Sequence, residues 1–362
     1  RSQIDGLATA VERFTGSEIA QEPPPATDTP REQTMQLQLA FELRSPECGA
    51  PHRELYAAML DICAWADELG FDVVNFGEHH GAGSGYNPSP LVTCAAVAGR
   101  TRRIRMRPNV LLAPLYDPVK LAEDCAVLAL IAPQRFSLAI GGGYRPSEFA
   151  MFGRRLEERW AAIGELVEFL RRAWTGEACE FRGRTVRVRP VPDPAPRILL
   201  GGSSAAAARR AARIADGWLP PLDPRLWTPY REECLALGKP DPGAFAAYGP
   251  TFLWIAHDAD AAWSMLEPHV LSQIEEYGAF TREGFGEAKG PYRGRTDPAS
   301  LRGNRAYQVL SPPQLLALAD TLGPDGVLLL NPLLGGIAPA EAWKMLRLFE
   351  SEVLPALSGE RR

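Results

Sequence analysis

The amino-acid sequence predicts an α/β protein folded as a (β/α)8 barrel with insertions. Short apolar segments typical of strands alternate with amphipathic helical segments from residue 37 to residue 354, which is the pattern of a parallel sheet covered by helices. From Met35 onward the chain is longer than the roughly 250 residues that such a barrel needs. Residues 44–49, after the first strand, lack the glycine fingerprint of an open dinucleotide-binding sheet. The barrel, also called a TIM barrel, is therefore favoured over the doubly wound open sheet.

The predicted strands are short runs rich in valine, isoleucine, leucine and phenylalanine. The first alternates polar and apolar residues up to Phe41, and the second contains Val73, Val74 and Phe76. The eight strands are predicted at residues 37–43, 71–77, 104–112, 136–140, 198–201, 217–219, 251–256 and 327–330.

The predicted helices repeat apolar residues at intervals of three or four, which places them on one face. Leu55 and Met59 begin this stripe in the first helix, and Pro118 occupies the first turn of the third, where proline is tolerated. Residues 180–186 are typical of an inserted β-hairpin, and the polar, glycine-rich residues 277–310 are predicted to form a lid insertion. The helices are predicted at residues 54–69, 89–99, 118–130, 155–174, 204–215, 224–237, 258–276, 312–322 and 339–354.

Residues 1–34 differ from the rest of the chain and are predicted to be a flexible N-terminal extension. Apolar residues from Ile4 to Phe14 have the spacing of one weak amphipathic helix, and the proline-rich residues 21–30 have the composition of a linker. We expect a single barrel domain to follow at residues 35–362.

The composition is that of a globular protein and disfavours several classes of function. Hydrophobic residues make up 46% and charged residues 23% of the chain, and the apolar stretches are too short to span a membrane. A net charge of −5 without a basic domain disfavours nucleic acid as a partner. The six cysteines are scattered without Cys-x-x-Cys spacing, so we expect no disulfide framework and no metal site, and a cytoplasmic location.

The active site of a (β/α)8 barrel lies at the carboxyl ends of the strands. The second strand ends in Glu78-His79-His80, which places two of the five histidines side by side. Imidazole is readily poised for proton transfer near neutral pH, so we predict that at least one of these histidines is functional, with a packing role as the alternative. Adjacent side chains on an extended chain point apart, so the two histidines are not expected to share a metal ion.

Two glycine-rich segments follow later strands. Residues 141–143 are all glycine, which permits a ligand to approach the backbone closely, although such a triplet is also common in ordinary loops. Gly201-Gly202-Ser203-Ser204 opens a helix, where free amides, hydroxyls and the helix dipole can bind a phosphate. Ordinary serine capping of the helix explains the same residues equally well.

Together these segments resemble the luciferase-like flavin monooxygenase family, which also contains deazaflavin-dependent oxidoreductases. The resemblance extends from about Met35 to Trp218 and depends on the order and spacing of several motifs. They are Glu68-Leu69-Gly70-Phe71-Asp72, Glu78-His79-His80, Asn87-Pro88, Val110-Leu111-Leu112-Ala113-Pro114, Asp117-Pro118-Val119, Gly143-Tyr144-Arg145-Pro146-Ser147-Glu148-Phe149, Phe152-Gly153, Gly201-Gly202-Ser203-Ser204 and Ala215-Asp216-Gly217-Trp218.

The resemblance implies a barrel that binds reduced FMN, supplied by a separate reductase, or the deazaflavin coenzyme F-420. It implies that His79 is catalytic and that Asn109-Val110 forms a cis bulge behind the flavin ring. It implies cofactor contacts from Phe41, Glu78, Asn109, Val110, Gly141, Gly142, Tyr144, Gly202, Ser203 and Ser204. The substrate is expected to contact His80, Tyr277, Phe280 and Tyr292.

One departure from the family concerns the cofactor phosphate. Many relatives carry arginine after the first glycine of the fourth strand's loop, and this chain has Gly142 there. We therefore expect the phosphate to depend on Ser203 and Ser204, or on Arg145.

The leading functional hypothesis is a flavin-dependent monooxygenase that uses reduced FMN and molecular oxygen on a small organic substrate. The alternatives are an F-420-dependent hydride-transfer oxidoreductase and, more distantly, a non-catalytic flavin-binding protein. A Schiff-base aldolase is disfavoured because no lysine lies at a predicted strand end. A homodimer is expected, formed by the helices at 89–99 and 118–130. The apolar residues expected at that interface are Leu91, Cys94, Ala95, Ala98, Leu121, Cys125 and Leu128.

Overall fold

The architecture is taken from a computed structural model that describes residues 35–219, 224–293, 298–302 and 306–359. The predicted N-terminal extension, residues 1–34, lies outside these residues. Helices and parallel strands alternate along the described chain, apart from one antiparallel hairpin.

The strands form the wall of a barrel. They are β1 (Gln36–Phe41), β2 (Val73–Phe76), β3 (Arg105–Pro108), β4 (Leu111–Leu112), β5 (Ser137–Gly141), β6 (Cys179–Phe181), β7 (Arg184–Val186), β8 (Arg197–Gly201), β9 (Gly217–Leu219), β10 (Phe252–Ile255), β11 (Tyr307–Leu310) and β12 (Val327–Leu330). Sheet order is β12-β1-β2-β3 on one side and β4-β5-β8-β9 on the other, with every pair parallel. A bridge between Met106 and Phe136 joins the two sheets, and a bridge between Tyr248 and Val327 joins the segment before β10 to β12. The predicted (β/α)8 barrel is therefore confirmed.

The helices surround this wall and cover its carboxyl end. A π-helical turn, Phe349–Val353, connects the last two. Within the described residues, no helix combines the length and the apolar character needed to cross a bilayer. The helices are α1 (His52–Glu68), α2 (Pro90–Ala98), α3 (Pro118–Ile131), α4 (Pro146–Met151), α5 (Arg159–Ala173), α6 (Ala205–Ile214), α7 (Trp227–Ala236), α8 (Ala259–Phe285), α9 (Pro298–Arg302), α10 (Pro312–Leu322), α11 (Pro339–Leu348) and α12 (Leu354–Gly359).

The interior of the barrel is polar near the amino ends of its strands. Side chains alternate between the two faces of a strand, so Leu37 and Leu39 of β1 face the helices while Gln38 faces inward. Asn75 of β2 donates to Gln38 Oε1 at 3.1 Å, and Arg107 of β3 donates from Nε to Asn75 Oδ1 at 2.8 Å. Polar side chains thus fill a layer of the barrel that apolar residues usually occupy.

Several predicted elements have different bounds in the structure, and the predicted lid contains the strand β11. Two of these differences bear on the candidate site. The strand predicted at 104–112 is two strands, β3 and β4, separated by Asn109 and Val110. The helix predicted to end at residue 276 continues to Phe285, so the first residues of the predicted lid are helical. Gly278 and Gly284, which suggested a loop, instead allow close packing: a Cβ on Gly284 would lie 2.5 Å from the carbonyl oxygen of Tyr144.

The apolar residues assigned to a dimer interface lie mainly in the core of this chain. Cys94, Ala98, Leu121, Cys125 and Leu128 are all buried here, so their apolar character is explained without a partner. The large apolar side chains that α2 and α3 expose are Val92, Val127, Leu130 and Ile131.

The side chain of Val110 packs closely against two glycines at strand ends. A Cβ on Gly141 would lie 2.4 Å from Val110 Cγ2, and a Cβ on Gly201 would lie 2.7 Å from Val110 Cγ1. The side chain of Val110 therefore occupies the space that larger residues on β5 and β8 would need.

We predict that Gly141→Ala destabilises the protein by about 1–3 kcal/mol, because the added methyl group overlaps the valine. The matched control is Gly164→Ala in α5, where a Cβ would meet nothing within 4 Å and where alanine is the better helix former by about 1 kcal/mol. Thermal unfolding should show a lower Tm for the first variant and an equal or higher Tm for the second. Equal Tm values for Gly141→Ala and the wild type would contradict this account.

Candidate functional site

His79 follows the carboxyl end of β2, where barrel active sites are built, and its ring is buried. Its Nδ1 lies 2.8 Å from Oε1 of Glu148, in the first turn of α4. Pro146 begins that helix directly after the loop that follows β5, which brings the carboxylate to the strand ends. The histidine and its carboxylate partner thus come from two barrel units that are separated by the unit containing β3, β4 and α3.

The Glu148 carboxylate is held ionised by three donors. Besides His79, its Oε1 accepts the backbone N–H of His80 at 2.9 Å and Nη1 of Arg145 at 3.3 Å. Burial alone would raise the pKa of Glu148, but His79, the His80 amide and Arg145 together lower it below its ordinary value. An ionised carboxylate accepts only, so Nδ1 of His79 donates and Nε2 is left to accept or deliver a proton.

Aromatic rings enclose His79. The centroids of Phe280 and Tyr86 lie 4.8 and 4.9 Å from the imidazole centroid, and those of Tyr144 and Tyr277 both lie 5.8 Å away. Tyr277 and Phe280 belong to α8, so the end of this long helix forms one wall of the site. Such walls exclude water from the imidazole, which strengthens the electrostatic interactions within the site.

A buried polar network anchors this wall. Arg44 donates from Nε to Glu42 at 2.9 Å and from Nη1 to Glu276 of α8 at 2.7 Å. Glu42 also accepts the hydroxyl of Tyr277 at 3.2 Å, and the hydroxyls of Tyr277 and Tyr86 lie 2.8 Å apart. Burial, followed by the charge of Glu42, raises the pKa of both tyrosines, so both remain neutral hydrogen-bonding groups.

The network also contains an unsatisfied donor. Nη2 of Arg44 is buried without a hydrogen-bond partner, and the guanidinium carbon lies 5.7 Å from the ring centroid of Tyr277. Tyr292, which is predicted to contact substrate, stacks on Tyr277 with 4.6 Å between the ring centroids. The structure therefore brings Tyr277 and Phe280 into contact with His79, whereas Tyr292 contacts Tyr277.

Glu78 and His80 form a second hydrogen-bonded pair. His80 Nε2 lies 2.9 Å from Glu78 Oε1, which also accepts the hydroxyl of Tyr116 at 2.8 Å, and Glu78 Oε2 accepts the N–H of Leu112 at 2.7 Å. Both carboxylate oxygens of Glu78 are thus occupied in holding β4 beside β2. The His80 ring packs on Phe152 at 4.6 Å. Their predicted cofactor and substrate contacts stay predictions.

The residues predicted to face the flavin ring lie at or just after the strand ends, and one of them has a fully buried side chain. The Asn109–Val110 peptide is cis, which confirms the expectation drawn from the resemblance. Asn109 is exposed and Val110 half-buried between Gly141 and Gly201. Phe41, in contrast, is buried against Phe76 at 6.0 Å, so a flavin contact from its side chain stays a prediction.

A cationic cluster lies beside the segment predicted to bind phosphate. Ring contacts link Arg159 and Arg210 to Trp160, at 5.0 and 4.2 Å. Nε of Arg159 is buried without a partner, and no described carboxylate lies within 4.0 Å of either guanidinium. Burial and then the charge of Arg159 lower the pKa of Arg210. A Cβ on Gly142 would lie 2.6 Å from Trp160, so the cluster adjoins the loop after β5.

The serines of this segment are placed differently from each other. Ser204 caps α6, its hydroxyl oxygen accepting the N–H of Ala207 at 3.2 Å, as the capping interpretation predicts. Ser203 is exposed, and Gly202 packs closely on Ala207. Ser203 precedes the N-cap of α6, and Arg210 lies within that helix.

Arg145, the third residue considered for phosphate, has other partners. It is buried, donates from Nε to Glu283 at 3.0 Å, and lies 3.8 Å from the ring centroid of Phe280. Its Nη1 also donates to the carbonyl of His80 at 3.2 Å. Arg145 therefore joins α8 to the His79 site instead of facing a phosphate.

Sequence reasoning missed four residues of this site: Glu148, Tyr86, Arg159 and Arg210. An acidic residue in the first turn of a helix that follows a strand end was a usable signal for Glu148. No comparable signal marked the arginines, because basic residues on outer helices are usually solvated. Among the described residues, no cluster of three His, Cys, Asp or Glu side chains could hold a metal ion.

Comparison with known proteins identifies several similar chains. A family model described as luciferase-like monooxygenase matches residues 39–326. The F-420-dependent glucose-6-phosphate dehydrogenase of Nocardia farcinica is 30% identical over 196 residues, covering 51% of this chain and 56% of that protein. The oxygenase component of flavin-dependent trigonelline monooxygenase from Acinetobacter baylyi is 26% identical over 155 residues, covering 40% of this chain and 43% of that protein. The chain thus spans about half the length of these curated relatives.

A solved structure extends the comparison to nearly the whole chain. The monooxygenase from Streptomyces bottropensis superposes with a TM-score of 0.70 at 25% identity, covering 89% of this chain and 99% of that one. The arrangement of helices and strands described above is therefore shared with a monooxygenase.

We predict that Glu148→Gln alters the pH dependence of stability. The folded pKa of Glu148 lies below its ordinary value of 4.5, so its contribution is complete above that pH and is lost as the pH falls through the folded pKa. Below about pH 4.5 the wild type should therefore lose stability more steeply than the variant. Thermal unfolding from about pH 7 to about pH 3 measures this, with Glu177→Gln at an exposed position as the control. Parallel profiles for wild type and Glu148→Gln would show that the carboxylate is not held ionised.

Proposed function

This chain belongs to the luciferase-like monooxygenase family, and on that premise we propose that it is a monooxygenase that uses reduced FMN and molecular oxygen on a small organic substrate. The observation that carries the proposal is the His79–Glu148 pair, 2.8 Å apart and enclosed by aromatic rings at the carboxyl end of the barrel. This pair can accept and donate a proton in a space from which water is excluded.

The residues at the strand ends fit a flavin mononucleotide. Arg159 and Arg210 supply cationic donors, one with a buried unpartnered Nε, and the exposed Ser203 hydroxyl and the α6 amides supply neutral ones. That donor set suits a phosphate dianion. The half-buried Val110 would support the ring system from behind.

Reduced FMN would supply the electrons that activate oxygen. The protein's own contribution is to hold a substrate against the aromatic wall and to handle a proton at His79 Nε2. Because Glu148 keeps the proton on Nδ1, Nε2 is presented as an acceptor in the neutral imidazole. Once protonated, the imidazole is stabilised by the buried carboxylate, so it can later return the proton.

The second candidate is an F-420-dependent hydride-transfer oxidoreductase, in which no oxygen is consumed. The relative from Nocardia farcinica is named as F-420-dependent, and it aligns with half of this chain. A small cleft beside the proposed phosphate site is lined by four arginines and by Glu158. Arg155 pairs with Glu158 and Arg182 with Glu165, which leaves Arg154 and Arg159 to bind further anionic groups beyond a phosphate. A non-catalytic flavin-binding protein remains the distant third candidate.

Two partners belong to this proposal. The relative from Acinetobacter baylyi is named as an oxygenase component, which supports a separate reductase as the source of reduced FMN. We also propose a homodimer. Its contact would use the exposed Val92, Val127, Leu130 and Ile131 in place of the buried residues first assigned to it.

His79→Ala is predicted to lower turnover by about 10²-fold or more while FMN binding changes only a few-fold, because a positioned proton-transfer group is lost. Oxygen consumption with reduced FMN and a confirmed substrate measures turnover, and fluorescence titration measures binding. His80→Ala should cost less, and His257→Ala, an exposed position, should cost nothing measurable. Retention of most activity by His79→Ala would end the catalytic assignment.

Arg159→Met is predicted to weaken FMN binding by roughly tenfold to a hundredfold, since a hydrogen bond to a charged group is lost. Its affinity for riboflavin, which lacks the phosphate, should not change. Arg213→Met on the neighbouring helix α6, whose guanidinium pairs with Glu233, is the control. Titration of the wild type with FMN and F-420 in parallel distinguishes the two proposed cofactors, and tighter F-420 binding without oxygen consumption would favour the second candidate.

A further inference from the structure

A second cavity lies at the opposite end of the barrel from His79. Its volume is about 600 Å³, and it opens among the first residues of the strands, including Gln36 of β1 and Arg197 of β8. A cavity of this size can hold a small organic molecule. Nothing in the proposed flavin chemistry uses it.

Arg107 lines this cavity with a positive charge that has no anionic partner. Its Nε donates to Asn75 at 2.8 Å and its Nη2 to Gln38 at 3.4 Å, and both acceptors are neutral amides. Burial lowers the pKa of Arg107 to about 10, and the charged or ionisable neighbours that act on it are Tyr248 and Arg105. No described carboxylate lies within 4.0 Å of the guanidinium. A partly buried guanidinium in this state is a strong donor toward an anion.

The acidic residues that line the cavity have partners elsewhere. Asp216 accepts from Arg171 at 2.7 Å and from the N–H of Ile198 at 2.8 Å. The carboxylate of Asp241 accepts hydrogen bonds from Nε and Nη2 of Arg231, at 2.7 and 2.6 Å. Neither carboxylate neutralises Arg107, so the cavity favours a negatively charged ligand.

Aromatic side chains also line this cavity. Trp218 stacks with Trp227 at 6.1 Å and an interplanar angle of 14°, and Tyr230 lies 5.4 Å from Trp218. The indole Nε1 of Trp218 is buried without a hydrogen-bond partner. An unsatisfied buried donor of this kind costs free energy unless a ligand or water accepts from it.

We propose that this cavity is a binding site for a small aromatic carboxylate that carries a second hydrogen-bond acceptor. The carboxylate binds Arg107, the flat ring lies against Trp218 and Trp227, and the second acceptor takes the indole N–H. The site is separate from the one at His79 and does not depend on the proposed function.

The test is isothermal titration of the full chain with 4-hydroxycinnamate and with its uncharged amide as a matched probe. The wild type should bind the acid roughly tenfold to a hundredfold more tightly than the amide, as expected for loss of a charge-assisted hydrogen bond. Arg107→Met should remove this difference. Its Tm should fall only modestly, because Asn75 Oδ1 loses its donor while the cost of burying an unpaired charge is removed. Arg105→Met, at the exposed start of the same strand and outside the lining of the cavity, is the control and should keep the difference.

Trp218→Phe provides an independent variant that keeps the aromatic wall and removes the indole donor. It should weaken binding of both probes several-fold while preserving the preference for the acid. Three results would overturn the proposal: no binding of the acid by the wild type at millimolar concentration, equal binding of acid and amide, or an undiminished preference in Arg107→Met. Unchanged binding in Trp218→Phe would overturn the assignment of the second acceptor.

Discussion

One carboxylate oxygen, Oε1 of Glu148, holds the candidate site together. It accepts from the ring of His79, the backbone of His80 and the guanidinium of Arg145. Through Arg145 it is connected to Glu283 on α8, the helix whose aromatic residues enclose the imidazole. The orientation of His79, the end of β2 and the wall of the site therefore all depend on a charge buried at one point, and loss of that charge would affect all three together.

The surroundings of His79 and the cavity at the amino end of the barrel differ in how they satisfy buried charge. Around His79, arginines and glutamates are paired: Arg44 with Glu42 and Glu276, and Arg145 with Glu148. At the amino end, Arg107 contacts only amides. A paired network holds its side chains in one geometry, which suits a site where an imidazole must be aligned. An unpaired guanidinium is suited to binding an anion that enters the cavity from solvent.

Sequence reasoning located the strand ends, and with them His79. Strand periodicity can be seen within a few residues of the sequence, and all (β/α)8 barrels place their active sites at the carboxyl ends of the strands. The same reasoning could not identify Glu148, which lies 69 positions away and meets His79 only after two barrel units have folded together. Residues 277–310 were assigned to a lid insertion because the segment is polar and rich in glycine, yet Gly278 and Gly284 lie in α8, where the missing side chain permits contact with Tyr292 and Tyr144. The cis peptide at Asn109 came from the family resemblance and from no pattern in the chain itself.

The two anchors of α8 limit how this protein can diverge. Glu276, bound to Arg44, and Glu283, bound to Arg145, are seven residues apart, so two helical turns place them on the same face. Inserting or deleting one residue between them would rotate one anchor by about 100° relative to the other and separate it from its arginine. During evolution, substitutions between residues 276 and 283 can change the shape that α8 presents to a substrate. Insertions or deletions in the same interval are less easily accepted, because they would separate an anchor from its arginine.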